Sequence, residues 1–197
     1  MKNFRKNKSR FNILLSRKAG MNFSHPKGTV MAVKSVPAEI GLLLDLLDQG
    51  YDKKAWHGPN LRSAIRRVTA EQAVWQSDRL RHNIAELVVH AAYWKYAVRR
   101  RLTGEKRGSF PMKGSNWFSV PSSLSQEDWR GHIALLNEMH EPLREVVAVY
   151  PAELLHAPSP GSKYTAAGLI TGIAAHDIYH AGQIQILKRL QAGNVEP

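Results

Sequence analysis

The chain has 197 residues, 43% of them apolar, no cysteine and a formal net charge of +12. That length and apolar content suit one globular domain, and the missing thiols exclude disulfides, thiolate metal sites and a cysteine nucleophile. The charge is uneven: residues 1–36 carry nine Lys or Arg and no acid, whereas residues 37–197 carry 19 basic and 16 acidic side chains.

The sequence therefore divides into a basic leader, 1–36, and a nearly balanced body, 37–197. A run of like charge reads as a solvated extension. The leader lacks the apolar stretch and small-residue cleavage site of a secretory signal. Nucleic-acid binding through it has the weakest support, because its charge is not interleaved with aromatics in a folded patch. No apolar run approaches the ~20 residues of a membrane span, so a cytoplasmic protein with no membrane association is expected.

From Pro37, Ile40, Leu43, Leu44 and Leu47 recur at three- and four-residue steps before Gly50, which predicts an amphipathic helix near 37–50. Residues 51–76 contain the turn signal Trp56-His57-Gly58-Pro59 and then Leu61, Ile65 and Val68, a linker with a short helical segment. A second long helix is expected near 77–103, starting at Ser77 or Asp78 and ending near Gly104, with His90 at its middle. Residues 105–124, rich in Gly, Pro and Ser, read as a loop long enough to cover a pocket. Ser125 with Asp128 resembles a capping box opening a helix near 125–149, which Pro142 should bend. Thr165 opens the last helix, near 164–192, which stops at Gly193. Four long helices without strand alternation predict an all-α four-helix bundle.

His176 and His180 lie four residues apart, so a helix projects both from one face, near enough to grip the same ion. This pair alone is a weak signal, and Asp177 stands where the zincin motif has glutamate, so the motif does not make a protease. His90 adds weight, because an unpaired imidazole in an apolar helix is costly to bury. Together His90, His176 and His180 make a candidate three-histidine site for one divalent metal ion, with coordination positions left open. Such a site lowers the pKa of water, polarises a ligand or stabilises a thiolate, and the ligands alone do not choose among these.

His25, His57, His82, His132, His140 and His156 are expected at the surface, in turns or near caps. Glu86, one turn before His90, is kept out of the ligand set in favour of a surface salt bridge with an Arg. Asp177, Tyr179 and Gln183 flank the pair as groups able to orient an imidazole or a substrate. Trp94 is expected in the core. No residue is singled out as catalytic, and no organic cofactor is expected.

The segments HDIYHAGQIQILKRL, from His176 to Leu190, and ELVVHAAYWKYAVRRRL, from Glu86 to Leu102, resemble the DinB superfamily, as does the WHGPNL turn from Trp56 to Leu61. The resemblance spans roughly residues 37–192 and implies a four-helix bundle of up-down-down-up topology with His90, His176 and His180 as metal ligands. It further implies a metalloenzyme of small-molecule chemistry, either a transferase acting on a low-molecular-weight thiol or a hydrolase, and a homodimer. Imidazole sites accept zinc, nickel, copper or iron, and zinc and nickel are the leading choices. The alternative is a non-catalytic bundle in which the ion mainly stabilises the fold.

Overall fold

The computed structural model describes residues 36–76 and 81–193; the leader, apart from Val36, lies outside them. The described residues are all-helical: α1 Ala38–Tyr51, α2 Leu61–Ala64, α3 Ala70–Val74, α4 Ile84–Thr103, α5 Gln126–Ala148 and α6 Ala166–Gly193, with a 3-10 turn at Ala152–Leu154. No strand occurs among them, and no helix is long and apolar enough to cross a membrane.

Local chemistry sets the helix ends. The Ser125 hydroxyl accepts from the Asp128 amide at 3.0 Å while the Asp128 carboxylate takes the Ser125 amide at 3.2 Å, so α5 opens on the expected capping box. A second box, Asn83 with Glu86, opens α4. The expected start at Ser77 or Asp78 falls outside the described residues, and Arg81 to Asn83 are not helical. Asn83 holds an extended backbone (φ −88, ψ 175) as the cap requires, and this places the start later than periodicity alone suggests. Gly104, at φ 75, ends α4 in the left-handed conformation that glycine adopts without strain. At α6 the Thr165 hydroxyl accepts from the Gly168 amide at 3.1 Å.

The four long helices pack around two apolar clusters. One joins Ile84, Leu87 and Val88 of α4 to Trp129 and Leu136 of α5, Ala181, Ile184 and Leu187 of α6, and the α2–α3 segment. The other joins Ile40 and Leu47 to Val98, Leu102, Leu143, Val147, Ala166, Ile170, Ile173 and Ala174. In the first, early α4 meets early α5 but late α6; in the second, late α4 meets late α5 but early α6. α1 runs against α5, for Arg144 grips Asp48 at 2.6 and 2.8 Å while Tyr51 donates to the Asn137 side chain. These contacts are compatible with the up-down-down-up bundle.

A polar layer separates the clusters. Lys95 of α4, His140 of α5 and Asp177 of α6 all lie between them and are buried. Lys95 Nζ donates to Asp177 Oδ2 and to His140 Nδ1, at 3.2 Å in the latter case, and lies 4.5 Å from the centre of the Tyr51 ring. His140 stacks on Tyr51 with ring centres 3.6 Å apart. His140 is therefore a core residue, contrary to the expectation of a surface or capping role.

Candidate metal centre

α4 and α6 run side by side in opposite directions, which brings the middle of one against the middle of the other. His90 of α4 meets His176 and His180 of α6 there. His90 Nε2 lies 3.1 Å from His176 Nε2, His180 Nε2 lies 3.0 Å from the same atom, and the three donor atoms fall within 4.8 Å of one another. The sequence-expected trio is thus brought together.

Hydrogen bonds fix which way two of the rings present their lone pairs. His90 Nδ1 lies 2.7 Å from the Asn116 carbonyl oxygen, which can only accept, so Nδ1 carries the proton and Nε2 of the neutral ring is a bare acceptor. His180 Nδ1 donates to Gln183 Oε1 at 2.5 Å, and the Gln183 amide nitrogen donates to the Tyr179 hydroxyl at 3.2 Å, which orients the amide. Two lone pairs therefore aim at His176 Nε2, whose single proton can satisfy one of them at most. His176 Nδ1 is buried with no partner. Three neutral nitrogens converging without enough protons is costly for imidazoles alone and is relieved by a cation. Two of the three separations fit one ion as well: ligand nitrogens about 2.0–2.1 Å from it lie roughly 2.9–3.4 Å apart, as His176 Nε2 does from each of the other two.

Electrostatics keep the rings in the ligand form. Burial, reinforced by His180 and His90, holds His176 down to about 3. Burial likewise holds His180 down to about 4, against the hydrogen bond to Gln183. His90 is lowered by burial, opposed by its bond to Asn116. All three are neutral at pH 7, and neutral imidazole is the form that binds metal.

The loop at 105–124 closes over this cluster. Trp117 stacks on His90 with ring centres 3.8 Å apart, and His82 stacks on Trp117 at 3.6 Å. Asn116, at φ 66, turns the loop so that its carbonyl takes His90 while its side chain takes the Trp94 indole N–H at 2.9 Å. Sequence reasoning missed both Asn116 and Trp117; the available signal was an asparagine, tolerant of the left-handed region, in a Gly- and Ser-rich loop. Lys95 was missed as well.

The other candidates fall as follows. Gln183 orients His180, as anticipated. Asp177 turns away from the trio to Lys95; burial pushes its carboxyl up to about 6, with Lys95 pulling it back. Glu86 caps α4 and pairs with His82 at 3.1 Å rather than with an Arg, and it does not join the trio. His57 and His156 are exposed, whereas His132 is half-buried with an unpartnered Nδ1. Trp94, half-buried, packs against the second apolar cluster as expected, and with Val98, Arg101, Gly172 and His176 it also lines a cavity of about 240 Å³ that reaches His176 from the α6 N-terminal side.

A family model described as the DinB superfamily matches residues 55–184, a span that includes all three histidines, the loop above them and most of α6. The chain belongs to the DinB superfamily. No curated protein and no solved structure matches it. The three-histidine group, which can hold a metal ion, lies within the matched span, and the all-helical body agrees with that membership.

Proposed function

We propose that this DinB protein is a metal-dependent enzyme of small-molecule chemistry, in which His90, His176 and His180 hold one divalent ion. The observation that carries the reading is the orientation of two lone pairs, fixed by Asn116 and Gln183, toward a third imidazole 3.0–3.1 Å away. A bound divalent ion supplies Lewis acidity, which brings the pKa of water or a thiol toward neutrality. The chain's own residues do the rest. Asn116 and Gln183 hold two rings in the right tautomer, Trp117 shields His90, and the cavity beside His176 admits a small molecule.

Among the metals that an all-imidazole set suits, zinc and nickel are the ones we propose. Since the chain has no cysteine, any nucleophilic sulfur must arrive on a low-molecular-weight thiol; the alternatives are thus an S-transferase and a hydrolase acting with water. A thiol co-substrate implies the cytoplasm, where such thiols stay reduced. We assign residues 37–197 to the metal-binding domain and residues 1–36 to a separate basic leader. Leu42 and Leu46, exposed one turn apart on α1, support a homodimer, which light scattering tests. A second reading, a non-catalytic bundle stabilised by its ion, draws on the burial of His90 and His180, 5% and 3% exposed.

The test is elemental analysis of untagged protein prepared without added metal, on wild type and on His90→Ala, His176→Ala and His180→Ala, with His132→Ala as control. Near-stoichiometric metal in wild type and control, and sharp loss in the three variants, is expected. Full occupancy in His90→Ala would sink the three-ligand site. Turnover in a screen of several thiols with small electrophiles, and of hydrolysable esters and amides, separates enzyme from structural bundle.

A further inference from the structure

The cavity beside His176 carries a chemical preference, and Arg101 sets it. The Arg101 guanidinium lies over the Trp94 ring, 5.7 Å from its centre. Among the described residues it enters no ion pair, and its buried Nε has no hydrogen-bond partner. Apart from Arg101, Tyr164 and His176 the wall is apolar or glycine, with Trp94, Val98, Leu169 and Ile173 contributing side chains.

Its floor is a stripe of α6: Gly168, Gly172 and His176 recur every fourth residue and share one face. A Cβ built on Gly172 meets nothing within 4 Å, so the missing side chain is what leaves the slot clear up to His176. On the far side of Trp94 and Arg101 a second cavity, of about 390 Å³, is also lined by Arg100, Arg107 and Lys113. The nearby acid, Glu105, is already engaged by Arg99 at 2.8 and 3.1 Å. Positive potential therefore converges on Arg101 without a resident carboxylate to neutralise it.

We propose that this slot binds a small organic carboxylate. Its apolar body lies over Gly168 and Gly172 against Trp94, its carboxylate pairs with Arg101, and its far end meets His176. Guanidinium and carboxylate match as a charge-assisted, two-pronged pair, and partial burial against Trp94 strengthens it. The assignment deepens the metal-centre reading and rests on it for the role of the far end, whereas the anion site stands on Arg101 and the cavity.

Calorimetry reads binding directly, without turnover, and intrinsic tryptophan fluorescence gives a second readout. The probes are phenylacetate, phenylpropionate and phenylbutyrate, each against the alcohol of the same skeleton, titrated into full-length protein with and without its metal. At least one acid should outbind its alcohol by about tenfold or more. Arg101→Gln should erase that preference while leaving the alcohol's affinity and the metal content unchanged. Gly172→Leu should weaken acid and alcohol together. If that variant loses helicity, Arg101→Gln alone decides. Equal affinity of every acid and its alcohol, no binding of either, or a preference that survives Arg101→Gln overturns the proposal. Wild-type protein itself separates the two readings: no metal but a carboxylate preference refutes only the metal centre, and full metal without that preference refutes only the slot.

Discussion

Lys95→Met probes the polar layer at the middle of the bundle. Lys95 and Asp177 have side chains 0% exposed, and the ammonium serves both Asp177 Oδ2 and His140 Nδ1. Methionine keeps most of the stem and removes the charge. Asp177 Oδ1 already has no partner, so the substitution leaves the whole carboxylate bare, and His140 Nδ1 with it. Removing one partner of a buried pair costs about 3–5 kcal/mol. The expected loss is therefore about 3–5 kcal/mol, survivable against a typical stability of roughly 5–15 kcal/mol. Adding Asp177→Leu removes the orphaned acid, and the double variant should recover most of the loss, since an apolar replacement of a buried pair is often neutral. Urea unfolding in EDTA at pH 7 measures all three without a contribution from metal binding. A loss below about 1 kcal/mol in Lys95→Met, or no recovery in the double variant, would refute the reasoning.

Gln183→Ala frees His180 Nδ1 from the amide that orients it, and chelator competition should show metal affinity falling about 10–100-fold with the helix content unchanged. Gly50→Ala puts a Cβ 2.9 Å from the Ala174 carbonyl oxygen, closer than real contacts allow, so thermal unfolding should show a net loss of about 1–2 kcal/mol even though alanine favours the helix by about 1 kcal/mol. His140 is held down to about 2 by burial, then by Lys95 and Arg144, while an unfolded His titrates near 6.5. Below that pH the unfolded chain gains a proton that the folded one refuses, so His140 makes stability fall by up to about 1.4 kcal/mol per unit as pH drops. His140→Gln should flatten the metal-free stability profile between pH 6 and 4.5 by about one proton, and an unchanged slope would contradict a buried neutral ring.

The four long helices and the histidine trio were legible because their signals are periodic and local: apolar steps of three and four, a Ser125–Asp128 box, and a four-residue histidine spacing. The start of α4 was misread because Ser77 and Asp78 are as good caps as Asn83, and only the reciprocal Glu86 bond decides between them. Asn116 and Trp117 were not legible, since the path of a loop over a helix is set by tertiary packing rather than by its own turn residues.

The polar layer, by contrast, was present in the sequence. On α4 the core stripe runs Ile84, Val88, Ala91, Lys95, Val98, Leu102, and on α5 Trp129, Ile133, Leu136, His140, Leu143, Val147, each with one polar residue at a core step. On α6 Asp177 interrupts Ile170, Ile173 and Ile184 in the same way. Chemistry-bearing residues found by motif drew the eye from residues found by phase. Arg101 makes the same point. It is the last of three adjacent arginines, Arg99 to Arg101, of which Arg100 and Arg101 lie in the last turn of α4, where basic residues read as complements to the helix dipole. Yet Arg99 and Arg100 turn to Glu105, while Arg101 follows His90, Trp94 and Val98 by helical steps onto the face that looks at Gly168, Gly172 and His176. The histidine trio and the cavity beside it are thus two stretches of one seam between antiparallel helices, and helical phase, rather than residue type, selects which arginine faces it.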